Sequence, residues 1–411
     1  MSIQLANSSK DDQGEVKTVE ISFPFILVRT KKGLSIIERL SRLKFIKKLG
    51  WILLYMLPIA AAIGFYLVLR AVIAFISSDP LRGFARQITP LANLLLPGIN
   101  PYLPIIYGWI ALIIAMLVHE GMHGVLARSL GLPVKSSGLI LFLILPIGAF
   151  VDVDEKELKK AKAKDSGRVL AAGPGGNIIT AFIALLGLLL ILSTMIPLAT
   201  GVGIVGVYQG YPAHEAGIVS GDIITAINGV HIESISKMDE ILRPLTPGTT
   251  INLTVFHNQV FKDFTIKLAQ DPKNSSRGII GVNLVNIVQP LNIYTNFSST
   301  SPLIYFLLPT LAPNNVPFSD VMYRFYTSSI GDAFYPLANL LFWIWFININ
   351  LAIFNALPIY PLDGGQAFKV LLQAVGKNRI SEKNIKRITN GVTITIVSLV
   401  ILMIIVPYLM I

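Results

Sequence analysis

No cysteine occurs among the 411 residues of this chain. That excludes a disulfide framework and any thiolate metal site, so a transition-metal centre would have to be built from imidazole and carboxylate. Charge is also scarce, at 14% of residues, against about 25% in an ordinary soluble domain. Histidine occupies five positions, His119, His123, His214, His231 and His257, and no glutamate occurs between Glu240 and Glu382. What fills the chain instead is apolar: 53% of residues are hydrophobic and the mean hydropathy is +0.65. That composition reads as a multi-pass α-helical membrane protein. The net charge of +11 would suit nucleic acid, but the basic residues gather beside apolar runs. This is the positive-inside pattern rather than a phosphate-binding groove, and no nucleic-acid partner is expected.

The apolar runs set the organisation. About 20 such residues cross the hydrocarbon core, and spans are predicted over 51–76, 105–129, 169–198, 334–358 and 390–411. The short run 302–311 reads as interfacial, which gives five to six membrane helices. Residues 1–48 form a polar, then basic, extension in which Leu34, Ile37, Leu40 and Leu43 recur at helical spacing among arginines and lysines. That spacing predicts an interfacial amphipathic helix. The run 139–151 is too short to span and is interrupted by Pro146 and Gly148. It reads as a short membrane-embedded β segment, either a buried strand pair or a re-entrant hairpin.

Between the third and fourth spans the period changes from helical to two. Ile204, Val205 and Val207, then Ile223, Ile224 and Ile227, then Ile251, Leu253 and Val255 mark strands separated by turn residues. A soluble α/β domain is therefore expected over 201–272, followed by a connecting segment, 273–332. It divides the membrane core into 49–200 and 333–411. Lysine and arginine are dense at 29–48, 156–168 and 369–387. With five spans these segments share one face, which the charge rule makes cytoplasmic, leaving the inserted domain outside.

Chemistry concentrates in Val118-His119-Glu120-Gly121-Met122-His123-Gly124 of the second span. Residues four apart on a helix share a face about 6 Å apart along the axis, so two imidazoles can grip one ion. A carboxylate at Glu120 then stands where it can take a proton from a water polarised by that ion. Each ionisable group at mid-span costs about 2.5–3.5 kcal/mol on insertion scales, so three together call for a function. Two histidines leave a tetrahedral zinc short of a protein ligand. The candidate is Asp363, in Asn355-Ala-Leu-Pro358-Ile-Tyr-Pro361-Leu-Asp363-Gly364-Gly365 at the end of the fourth span. By itself Asp363 reads as a solvated residue in a helix-ending turn; on the same side as the paired histidines, ligation is the better reading.

These residues resemble the site-2 proteases, the intramembrane zinc metalloproteases. His119-Glu120-x-x-His123 matches the family's zinc motif, Gly173-Pro174-Gly175-Gly176-Asn177 its glycine-proline-x-x-asparagine, and Asn355-x-x-Pro358 with Asp363-Gly364 the segment carrying the third ligand. Leu145 to Val151 is similar to the family's membrane-embedded strand, although Ala149 replaces a usual second glycine. The resemblance implies Zn²⁺ held by His119, His123 and Asp363, Glu120 as catalytic base, and membrane-spanning proteins or peptides as substrates. Asn177 and Asn355 would either contact substrate or satisfy helix-end carbonyls. The inserted domain resembles a PDZ domain through Gly203-Ile204-Val205, Ala213-x-x-Ala216-Gly217, Gly221-Asp222-Ile223-Ile224, Ile227-Asn228-Gly229 and Pro247-Gly248. Such a domain either takes a substrate tail onto a strand edge or caps the site sterically. A metal transporter would need acidic residues along its spans, which are nearly lacking, and a silent adaptor would have no use for Glu120.

Overall fold

In a computed structural model of the chain, residues 19–30, 33–143, 145–295, 308–376 and 379–409 are described. Most of the run 302–311 lies outside them. The chain divides into two compact units, one of residues 1–185 with 342–411, the other Leu186–Leu341.

The first unit begins with two strands, β1 (Val19–Ser22) and β2 (Phe25–Thr30), then a short helix, α1 (Leu34–Ser41). Helix α2 (Ile46–Ser77) follows, and α3 (Ile105–Ser129) carries the paired histidines. The chain then turns back on α3 as β3 (Val134–Phe142) and β4 (Leu145–Val153), passes a helical turn, α4 (Glu155–Lys160), and enters α5 (Ala163–Thr194). The 139–151 run is thus a strand pair, and β1 and β2 extend it to a four-stranded antiparallel sheet in the order β1-β2-β3-β4. The sequence reading missed these two added strands.

In the second unit, strands β5 (Val202–Val207), β6 (Ile223–Ile227), β7 (Val230–His231), β8 (Thr250–His257), β9 (Val260–Lys267) and β10 (Val282–Asn286) form one sheet. Its order is β9-β8-β6-β5-β10, with β7 beside β6. Helix α6 (Ile235–Leu242) covers it, and Ile204, Ile224, Leu253 and Val255 are fully buried between them. The sheet takes in β10, beyond the boundary read at 272, because β10 pairs with the first strand of the domain and so cannot be separated from it.

The chain returns through α7 (Phe334–Ala356), α8 (Asp363–Gly376) and α9 (Glu382–Leu409). Among the described residues five helices are long and apolar enough to cross a membrane: α2, α3, α5, α7 with its leading turn, and α9. They fall where the apolar runs predicted, but α5 begins six residues before its expected start at 169 and α9 eight before 390. An apolar run marks the hydrocarbon, whereas helical hydrogen bonding continues into the headgroup zone, where the exposed Lys164, Lys383 and Lys386 keep their charged ends in water.

Candidate metal centre

Helix α3 sets His119 and His123 one turn apart, and both are buried, as are Glu120 and Asp363. Asp363 arrives from the other end of the chain as the first residue of α8, where the helix dipole favours a carboxylate. Its position depends on the glycines after it. A Cβ on Gly364 would stand 2.1 Å from the Ala356 carbonyl oxygen, and one on Gly365 2.4 Å from Ile359 backbone. Only without side chains there can α8 fold back so closely on the end of α7.

The three donor groups meet. His119 Nε2 lies 2.9 Å from Asp363 Oδ2 and His123 Nε2 lies 3.2 Å from the same oxygen. One ligand atom from each of the three residues falls within 4.8 Å of the other two. Tetrahedral zinc with bonds of about 2.0–2.2 Å needs donors roughly 3.3 Å apart, so this set fits such an ion. The tautomer fits as well. His123 Nδ1–H donates to the Val169 carbonyl at 2.7 Å, which leaves Nε2 with its lone pair toward the centre. Opposite the imidazoles, α5 presents Gly173. A Cβ there would lie 2.3 Å from His123 Nε2 and 2.7 Å from His119 Nε2. The bare backbone at Gly173 therefore keeps the ligand space open.

Glu120 sits beside the cluster, and Val151 of β4 donates its backbone N–H to Glu120 Oε2 at 3.3 Å. Asn177, also on α5, is fully buried, and neither its amide nitrogen nor its oxygen has a hydrogen-bond partner among the described residues. Leaving a buried polar atom unmet costs about 1–3 kcal/mol, a cost that Asn177 bears at both ends of its amide. Asn355 differs: its Nδ2 donates to the Leu351 carbonyl one turn back, at 3.0 Å. The remaining histidines stay apart. His214 and His231 are exposed, and His257 Nδ1 pairs with Asp222 at 2.9 Å inside the inserted domain.

Sequence reasoning missed the groups that contribute backbone rather than side chains, the Val169 carbonyl, the Val151 N–H and the cradle at Gly173. The run Gly173-Pro-Gly-Gly, opposite a helix bearing two histidines, was the signal available for the last of these.

Comparison with known proteins identifies the family. The model of peptidase family M50 matches residues 107–402. An uncharacterized protein of Methanocaldococcus jannaschii is 32% identical over 87% of this chain and 81% of its own length. The chloroplastic membrane metalloprotease ARASP of Arabidopsis thaliana is 26% identical over 63% of this chain and 68% of its own. A putative zinc metalloprotease of Clostridium acetobutylicum is 28% identical over 71% and 93%, respectively. Among solved structures, the PDZ domain of an SdrC-like protein from Listeria monocytogenes is 27% identical over 21% of this chain and 90% of its own, with a TM-score of 0.20.

Proposed function

The chain belongs to peptidase family M50 and is an intramembrane zinc metallopeptidase, and on that premise we propose that His119, His123 and Asp363 hold its zinc while Glu120 moves the proton. The observation that carries this reading is the meeting of two Nε2 atoms and one carboxylate oxygen, from opposite ends of the chain, in a buried site beside a glutamate. Zinc bound there supplies a Lewis acid that acidifies water and polarises a carbonyl. Glu120, held through Oε2 by Val151, accepts the proton of the attacking water and returns it to the leaving nitrogen. His123 keeps one tautomer through Val169. Asn177 offers one donor and one acceptor to the backbone of an unwound substrate, which explains why both are unpartnered in the protein. Burial keeps bulk water from competing for these groups.

The three basic segments support an active site on the cytoplasmic side of a cell membrane, with the PDZ-like domain outside. That domain has the means to take a substrate tail. Among the described residues strand β10 pairs with β5 on one side only, and beside it a cavity of about 360 Å³ is lined by Met238, Leu242, Ile280, Val282 and Leu284. An extended peptide laid along β10 would gain backbone hydrogen bonds and apolar pockets together.

The test is metal content and hydrolysis measured together. Glu120→Gln should retain one zinc per chain and lose peptidase activity, whereas His119→Ala should lose the metal. Activity in Glu120→Gln would sink the proton-transfer assignment, and full zinc content in His119→Ala would sink the ligand set.

A further inference from the structure

The hairpin β1–β2 lies outside the family match at 107–402, yet it is built into the sheet that carries Val151. The register puts Arg29 of β2 opposite Gly138 of β3, and Gly138 opposite Phe150 of β4, in one row across three strands. Side chains in such a row project from the same face. Gly138 has none, and a Cβ there would come within 2.5 Å of the Phe150 ring and 2.2 Å of the Val28 carbonyl oxygen. The gap lets the guanidinium of Arg29 reach over β3 and stand 5.2 Å from the centre of the Phe150 ring. Its Nη1 lies 3.8 Å from Asp152 of β4, and its Nη2 3.5 Å from Glu20 of β1. Arg29 is 3% exposed and Phe150 is 2%. An arginine is rarely so buried unless its charge is matched.

Alternation along β4 gives this contact a target. Phe150 and Asp152 point to the Arg29 face, and Val151 between them points the other way, toward α3, where its Cγ1 meets Gly124. The same Val151 gives its N–H to Glu120. Arg29 therefore grips both neighbours of the residue that holds the catalytic carboxylate.

We propose that Arg29 is a positioning residue for peptide hydrolysis: through Phe150 and Asp152 it fixes β4, and through Val151 N–H it fixes Glu120. The amino-terminal hairpin is then part of the catalytic apparatus, although it lies outside the family match. This rests on the assignment of Glu120 as the proton carrier. The cation–ring contact and the ion pair to Asp152 both need positive charge at position 29, so charge and not bulk is the property under test.

The experiment uses full-length protein in lipid nanodiscs with zinc restored, and a membrane-spanning peptide substrate assayed for kcat and KM separately. Arg29→Ala should keep its zinc and its KM within about twofold while kcat falls about 10-fold to 100-fold, the effect of a misplacement on the order of 1 Å. Arg29→Lys keeps the charge and should recover a large part of that loss, whereas Arg29→Gln should not. If Arg29→Ala does not accumulate, Asp152→Asn takes its place, with the same loss of kcat at unchanged zinc expected. The proposal is overturned by an unchanged kcat, by zinc content falling in step with activity, or by Arg29→Lys faring no better than Arg29→Gln. Glu120→Gln run alongside separates the two claims, since activity there would refute the role of Glu120 whatever the Arg29 series does.

Discussion

A single methyl group at Gly173 should abolish zinc binding while leaving the helix that bears it intact. In Gly173→Ala the new Cβ would stand 2.3 Å from His123 Nε2 and 2.7 Å from His119 Nε2, and ordinary contact begins at 3.4 Å. One imidazole must retreat by about 1.1 Å and the other by about 0.7 Å, or α5 must lift by a similar distance. Zinc ligands tolerate departures of only about 0.2 Å, so the displacement exceeds what the ion accepts several times over. Disturbing groups that only support metal ligands already costs about 10–100-fold in affinity, and moving the ligands themselves should cost at least the upper end, about 2.7 kcal/mol. The helix should not suffer, because alanine is favoured over glycine in a helix interior by about 1 kcal/mol. The assay is chelator-competition titration of zinc, read beside far-ultraviolet circular dichroism of the metal-free protein. Loss of zinc with unchanged helicity is the expected pair. Wild-type zinc affinity in Gly173→Ala would refute the placement of α5 against the two imidazoles.

Other outcomes follow from single contacts. Asn177→Leu removes two buried polar atoms that lack partners, so the metal-free protein should gain about 1–2 kcal/mol against denaturation while kcat/KM drops at least about 10-fold; equal activity would show that Asn177 does not meet substrate. The Asp154 carboxylate caps α4 and pairs with Lys135 at 2.8 Å, and that ammonium holds its pKa below the ordinary carboxylate value. A depressed pKa stabilises above the unfolded value and is lost as pH falls through the folded one, so exchange protection of the 156–160 amides, corrected for intrinsic rates, should decline from about pH 4 downward. Protection that does not change with acid would remove that cap. A reporter fused within 205–265 should register outside the cytoplasm and one within 370–385 inside, and the reverse would overturn the orientation drawn from charge.

How much could be read in advance depended on distance along the chain. The histidine pair was legible because a helix places residues four apart on one face, and the spans because hydrocarbon thickness fixes their length. Asp363 needed more, since it sits 244 residues from His119 and only the shared side of the membrane joined them in the sequence. The hairpin at Val19–Thr30 was not legible. Phe25 pairs with Phe142, and no local period announces a partner that far away. Strand β10 failed for the same reason, as its partner β5 lies on the far side of the whole domain. The groups that finish the site are backbone atoms of Val151 and Val169 and a missing side chain at Gly173, and a sequence pattern names side chains.

The separation of the proposed ligands along the chain also has a bearing on when activity can begin. Asp363 is made 240 residues after His123, and translation at about 5–20 residues per second puts roughly 12–48 s between them. Throughout that interval the nascent chain has both imidazoles, but the carboxylate that would complete the proposed set does not yet exist. On the proposed ligand set, a ribosome stalled anywhere in between leaves a chain without a complete metal centre. With the proposed ligands in this order, synthesis past Asp363 is the first condition for cutting another chain.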